Sequence, residues 1–284
     1  MRRDGVFPVK SLALFTRVSS RRADFGHTLL EMTIAIALGL FVTAGAVSLY
    51  RSQRIAFAQA VDAAQIHDAG MTALTLIGEQ LQMAGFVPAD MPRTFPARPG
   101  LFGCSGGRPI GADDSLTCES LATHSDGVAV RYVADNVSTW PSIAGLATDC
   151  LGQGVAKTDA DAPGVSVVNR FYAKTSGSTG EPELYCEGTG KANSSQPLVE
   201  GVERVRLRYW LAGASSAMDA AQLLPAQWAN VVAVDVCVLV RGAPQALQSR
   251  YVDCDGVSAL SADARVRRAF WRRVAIRNNE GSAA

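Results

Sequence analysis

The chain has 284 residues, of which 48% are hydrophobic and 19% charged, and its formal net charge is +1. This composition excludes a largely disordered chain, and it excludes a basic field over the whole molecule of the kind that attracts nucleic acid. The charge is nevertheless uneven, because residues 1–26 carry six basic and two acidic side chains. These residues form a basic flank ahead of the rest of the chain.

An uncharged apolar segment follows the flank. Residues 32–50 contain no charged side chain, and as a helix they would extend about 28 Å, close to the hydrocarbon thickness of a bilayer. The basic flank predicts a single-pass membrane protein with a cytoplasmic N-terminus, so the chain after Tyr50 is expected outside the cytoplasm, in a periplasm or beyond. Two alternatives stay open at this point, a buried core helix and a secretory signal cut near Ala46.

A single carboxylate, Glu31, stands one position before the apolar segment. An acidic side chain at the edge of hydrocarbon is costly unless it finds a partner, which makes Glu31 a candidate functional residue. The alternative is an interfacial carboxylate that simply reaches water.

The string GHTLLEM at 26–32 resembles the processing site of type IV prepilins. The resemblance implies that a prepilin peptidase cuts between Gly26 and His27 and that His27 becomes a methylated N-terminus. It also implies that Glu31 pairs with the N-terminus of a neighbouring subunit when the apolar helices pack in a filament. This chain departs from the family at one position, because the family usually has phenylalanine where His27 stands.

The pattern beyond the leader predicts an α+β fold. Proline is absent from Thr28 to Ala84, so one long helix is expected, with 27–50 as its membrane half and 51–85 as a periplasmic half. The helical spacing of Met71, Leu74, Ile77 and Leu81 predicts the face that packs on a β-rich head at 86–284. Within the head we expect a loop at 86–126, shorter loops at 175–180 and 188–196, a short helix at 218–224, and strands at 127–134, 165–174, 183–186, 203–211, 231–240 and 270–277. The fold class is therefore pilin-like, a long N-terminal helix against an antiparallel sheet.

All six cysteines follow the apolar segment: Cys104, Cys118, Cys150, Cys186, Cys237 and Cys254. An even number of cysteines in an oxidising compartment predicts disulfides. Many pairings exist, and the simplest joins neighbours in the sequence, namely Cys104–Cys118, Cys150–Cys186 and Cys237–Cys254. A zinc site is disfavoured because the chain contains no CxxC pair.

Three other motifs carry alternative functions. Ser105 lies in a G-x-S-x-G string, the pattern of a hydrolase nucleophile, but the flanking sequence does not predict the strand and helix that this site needs. Asp253 and Asp255 could contact Ca²⁺, although a turn is the simpler interpretation. The basic run at 265–273 could contact DNA, but its alternation favours a sheet strand with a solvated arginine face.

The order of several short strings resembles the PilW-type minor pilins: LQMAGF, LFGC, DGVAVRY, NRFY, LYC, PLVEGVERVRLRY and RVAIRN. The resemblance implies a non-enzymatic minor pilin without a cofactor that helps to prime pilus polymerisation in a tip complex. The implied partners are prepilin peptidase, other minor pilins, the major pilin and a tip adhesin, with nucleic acid not expected. The alternatives are a J-type pseudopilin of type II secretion and a membrane-tethered periplasmic hydrolase that uses Ser105.

Overall fold

The computed structural model describes residues 28–91, 98–135, 139–157, 164–245 and 248–278. The chain divides into two compact units, with the boundary between Ala56 and Phe57. One continuous helix, α1, Leu29–Met83, contributes residues to both units. The strands all belong to the second unit, which we call the head.

Helix α1 ends two residues before a glycine. Gly85 has a φ of 74°, a left-handed conformation that glycine adopts without strain, and its N–H donates to the carbonyl oxygen of Arg131 at 2.9 Å. Within the head, the buried residues of α1 recur at intervals of three and four: Asp62, Ile66, Gly70, Ala73, Leu74, Ile77, Gly78 and Leu81. This spacing places them on one face of the helix.

Twelve strands follow in the described part of the chain. They are β1 Leu101–Cys104, β2 Gly107–Ile110, β3 Thr117–Ser120, β4 Gly127–Ala134, β5 Val165–Thr175, β6 Pro182–Gly188, β7 Ser195–Glu200, β8 Val202–Leu211, β9 Val231–Pro244, β10 Arg250–Val252, β11 Ser258–Leu260 and β12 Arg265–Ala275. Two 3₁₀ turns, Ala220–Gln222 and Pro225–Asn230, lie between β8 and β9.

The strands form two main antiparallel sheets. The larger sheet has the order β1-β4-β5-β6-β7, and the smaller has the order β12-β9-β8. Two hairpins, β2-β3 and β10-β11, complete the head. Strand β9 is therefore central in its sheet, while β12 and β8 lie at the edges.

The core of the head packs the buried face of α1 against both sheets. Its members include Ile77 and Leu81 from the helix, Leu184 from β6, and Leu207 and Tyr209 from β8, each with 1% of its surface or less exposed. Helix and sheet are in close contact at Gly70, where a Cβ atom would overlap the ring of Phe270 on β12. A glycine at this position allows the contact.

The predicted α+β class, with a long N-terminal helix and antiparallel sheets in the head, is confirmed. Strands at 127–134, 165–174, 183–186, 203–211 and 231–240 are confirmed, and the predicted strand at 270–277 begins earlier and ends at Ala275.

Some local predictions were wrong. Residues 86–126 contain β1, β2 and β3 rather than a loop only, because these four-residue strands depend on pairing with their neighbours and have no periodicity of their own. Strand β7 begins at Ser195, inside a predicted loop, and the predicted helix at 218–224 is reduced to a 3₁₀ turn. Met71 is 47% exposed, because the buried face of α1 passes through Gly70 instead.

Candidate functional site

The N-terminal half of α1 has an apolar surface that no described residue covers. Every residue from 28 to 61 is exposed, including Leu29 at 83% and Phe41 at 79%. The helix is long and apolar enough to cross a membrane. An exposed apolar surface of this extent is typical of a segment that lipid or another protein covers.

Glu31 lies in the first turn of this helix and takes part in its N-terminal cap. The N–H of Thr28 donates to Glu31 Oε2 at 3.0 Å, and the N–H of Glu31 donates to Thr28 Oγ1 at 3.3 Å. This reciprocal pair is the capping box expected of a threonine followed three residues later by a glutamate. A carboxylate at this position also interacts favourably with the helix dipole. Thr28 was not singled out from the sequence, although the capping pattern was readable there.

Gly26 and His27, the predicted cleavage position and the predicted methylated residue, lie outside the described residues. The cut and the methylation therefore stay predictions. The pairing of Glu31 with a neighbouring N-terminus also stays a prediction.

All six cysteines form disulfides within the head. Cys104–Cys118 joins the end of β1 to β3, with Cα atoms 5.6 Å apart. Cys150–Cys186 ties the segment after β4 to β6, and Cys237–Cys254 ties β9 to the β10-β11 hairpin. Each bond joins two cysteines that follow one another in the order of the six cysteines along the chain. Three disulfides suit a protein that folds in an oxidising compartment.

An arginine on β8 joins three separate parts of the head. Arg206 contacts Asp126 at 3.1 Å, Asp219 at 3.0 Å and Asp255 at 2.9 Å. Burial alone would lower the pKa of Arg206, but the three carboxylates outweigh it and hold this pKa above its usual value. The cluster fixes the β10-β11 hairpin to β8, beside the Cys237–Cys254 bond. Sequence reasoning missed it, because the acidic partners are far apart in the chain.

The head has a cleft of about 550 Å³ beside α1. Asp62, a buried carboxylate of α1, lines it and accepts hydrogen bonds from the N–H of Ala243 at 2.7 Å and from Gln245 Nε2 at 3.3 Å. Asp62 therefore connects the helix to the end of β9. A buried carboxylate with these partners is a structural acceptor.

Ser105 and Asp253, two candidates from the sequence, both accept backbone hydrogen bonds in the structure. Ser105 lies between strands β1 and β2, and its Oγ accepts a hydrogen bond from the N–H of Ala221 at 3.1 Å. Asp253 Oδ1 accepts hydrogen bonds from the N–H groups of Asp255 and Val257 and so closes a turn. Within the described ranges, no group of three or more side chains is arranged to hold a metal ion.

Comparison with known proteins found one family model similar to the C-terminal part of the chain and a solved structure with a partial likeness. A solved structure of a type IV-like pilin from Thermus thermophilus aligns with 75% of this chain and 97% of its own length, at 13% identity and a TM-score of 0.39. No protein of curated function matches the chain in sequence. Residues 170–278, from β5 to just beyond β12, match the family of type IV pilus-assembly protein W, PilW, which confirms the resemblance predicted from the sequence over this part of the chain.

Proposed function

We propose that this protein is a minor pilin of type IV pilus assembly, anchored in the inner membrane by the apolar half of α1. The observation that carries the proposal is the match of residues 170–278 to the PilW family. The uncovered apolar surface of residues 28–50 supports it independently, because that surface lies outside the matched residues.

After one cleavage by a peptidase, the proposed part of this protein in assembly is non-covalent. A prepilin peptidase cuts after Gly26, and the new N-terminus at His27 lies four residues before Glu31. The protein then joins other minor pilins, the major pilin and a tip adhesin in a complex that primes polymerisation. Glu31 pairs there with the terminal amine of a neighbouring subunit, because a carboxylate in an apolar helix bundle is strongly unfavourable without a cation.

The capping box gives Glu31 a role before assembly as well. Its Oε2 accepts from Thr28, so the carboxylate is hydrogen-bonded while the subunit is in the membrane. A carboxylate has acceptor capacity for further donors, and a neighbouring amine can therefore add to this arrangement without breaking the cap.

The first test is the N-terminus of the protein, measured by intact-mass spectrometry in cells with and without prepilin peptidase. A chain that begins at His27 only when the peptidase is present supports the proposal. A chain that is uncut, or cut near Ala46, refutes it. Deletion of the gene then distinguishes a type IV pilus from a type II secretion system. A minor pilin is required for pili and twitching motility, whereas a pseudopilin is required for protein export.

A matched pair of variants tests Glu31. Glu31→Gln keeps the acceptor for the Thr28 cap and removes the charge, whereas Thr28→Ala weakens the cap and keeps the charge. We expect Glu31→Gln to abolish recovery of the protein with sheared pili and Thr28→Ala to reduce it only slightly. Equal recovery of Glu31→Gln and the unmodified chain would show that the charge has no part in assembly.

A further inference from the structure

Strand β12 has one edge that pairs with β9 and one edge that pairs with no described strand. The N–H of Ile276 donates to the carbonyl oxygen of Val232, and the same register continues through Val274↔Val234 and Phe270↔Val238. In an antiparallel ladder, alternate residues turn their N–H and C=O groups toward the same neighbour. The even-numbered residues of β12 therefore bond to β9. The odd-numbered residues present their backbone groups on the other edge: Arg267, Ala269, Trp271, Arg273 and Ala275.

No backbone hydrogen bond to these five residues occurs from the described part of the chain outside their own sheet. Trp271 is 52% exposed at the middle of the edge. An open edge of this length is a template on which another extended segment can pair.

The charges along β12 differ between its two faces. On the odd-numbered face, Arg267 is paired with Glu203 at 2.6 Å, and Arg273 with Asp235 at 2.5 Å. On the even-numbered face, Arg268 and Arg272 form no ion pair with any described carboxylate. These two guanidinium groups belong to residues about 13 Å apart along the strand. Both side chains are exposed, and the guanidinium of Arg272 lies against α1 at Gly78. The even-numbered face of β12 therefore carries two positive charges without a described carboxylate partner.

A cavity of about 240 Å³ lies along the same strand. Its apolar lining comes from Val252, Ala269 and Trp271, and its polar lining from Asp253, Arg267 and Arg268. Ala269 is the small residue of this group. A side chain that stands opposite Ala269 on an added strand has room for an aliphatic group there.

We propose that the open edge of β12 binds an extended acidic segment of another protein by antiparallel strand addition. Acidic side chains of that segment lie opposite Arg268 and Arg272, and aliphatic side chains lie opposite Ala269 and Trp271. The proposal concerns the head only and holds whether the protein serves a pilus or another filament.

The charge of the edge selects this occupant over a second copy of the same chain. Two copies that paired through β12 would bring the uncompensated Arg268 and Arg272 of one beside those of the other, and like charges at neighbouring positions of a sheet are destabilising. An acidic strand would instead place negative charges opposite Arg268 and Arg272, and opposite charges at neighbouring positions of a sheet are stabilising.

The test uses the full-length protein in detergent micelles and the labelled nonapeptide Thr-Thr-Thr-Asp-Val-Thr-Val-Asp-Thr. Aligned antiparallel with its fifth residue opposite Trp271, this peptide places its aspartates opposite Arg272 and Arg268 and its valines opposite Trp271 and Ala269. We expect saturable binding by fluorescence anisotropy, and binding at least about tenfold weaker when lysines replace both aspartates.

Backbone methylation of the peptide separates strand addition from charge attraction. Methylation of the nitrogens of the fifth and seventh residues removes N–H groups that face β12 and should abolish binding. Methylation of the fourth and sixth residues removes N–H groups that face away and should leave affinity within about threefold. Equal losses in the two methylated peptides, or no saturable binding of the parent peptide, would overturn the proposal.

Two charge reversals complete the experiment. Arg268→Glu should weaken binding of the aspartate peptide by about tenfold and strengthen binding of the lysine peptide. Lys191→Glu makes the same change in net charge on the exposed segment between β6 and β7 and should leave both affinities unchanged. Equal effects of the two variants would show that binding depends only on the net charge of the protein. A concentration-dependent dimer that the aspartate peptide dissociates would assign the edge to a second copy. Either result overturns the proposal.

Discussion

The same substitution, leucine to alanine, at two positions of α1 separates effects on folding from effects on assembly. Leu81 has 0% of its surface exposed in the head core, whereas Leu38 is 61% exposed on the apolar half of the same helix. Alanine has the highest helix propensity, so replacement of either leucine by alanine leaves the helix itself intact. The two variants differ only in what the lost atoms contact.

The cost of Leu81→Ala follows from its burial. The substitution removes three buried carbon atoms, each worth about 0.8 kcal/mol of transfer free energy, or about 2.4 kcal/mol together. The cavity left behind adds to this, and the sum is about 3–4 kcal/mol in the free energy of unfolding of the head. Leu38→Ala removes atoms that contact no part of the head, and its effect on the same free energy should be below about 0.5 kcal/mol.

The assay is guanidinium unfolding in detergent, followed by tryptophan fluorescence. Trp228 is a suitable reporter because it is 5% exposed and packs edge-on against Tyr209, with ring centroids 4.9 Å apart. In cells, Leu38→Ala should reduce recovery of the protein with sheared pili at an unchanged protein level. The reasoning is refuted if Leu81→Ala costs less than about 1 kcal/mol, or if both variants lower the unfolding free energy equally.

Three further predictions concern the head. Replacement of Cys150 and Cys186 together by alanine should cost about 3.8 kcal/mol by loop-closure entropy, more than the loss of either other disulfide, since this bond closes the longest loop with a separation of 36 residues; denaturant midpoints of the three double variants give the order. Burial raises the pKa of Tyr132 to about 12. The contribution of the neutral Tyr132 side chain to the free energy of unfolding is therefore complete below the pKa of an unfolded tyrosine, about 10, and is lost as pH rises through the folded pKa. Tyr132→Phe should flatten this alkaline decline in the unfolding midpoint. Gly70→Val forces a side chain into the ring of Phe270 and should cost about 1–3 kcal/mol, measured by thermal unfolding.

Strand β4 and strand β1 show which parts of the head the sequence could predict. All eight residues of β4 are buried, and its run of valine, alanine and tyrosine is typical of a covered strand. Strand β1, at 101–104, contains a glycine that reads as a loop residue. In the fold, a Cβ atom on Gly103 would overlap the hydroxyl of Tyr209 on β8. The glycine is thus required by a contact between distant parts of the chain, which local periodicity does not contain.

The same distinction applies to the candidate site. Glu31 was found from the sequence because a carboxylate at the edge of an apolar segment is costly, and its partner Thr28 lies only three residues away. The carboxylates around Arg206 come from Asp126, Asp219 and Asp255, which the fold alone brings together. A tertiary cluster of this kind has no spacing that a sequence pattern could reveal.

In the proposed complex, the apolar half of α1 would supply surface for assembly but little selectivity. Lipid tails are as apolar as the helices of neighbouring subunits, so transfer of this surface from lipid to a helix bundle gains little by the hydrophobic effect. Selection of the right neighbour must then come from polar groups. Glu31 is the only charged residue between Thr28 and Tyr50, and the head offers the open, basic edge of β12. Partner choice in the proposed complex should therefore respond to Glu31 and to the surface of the head, whereas apolar substitutions such as Leu38→Ala should alter how much protein assembles without changing its partners.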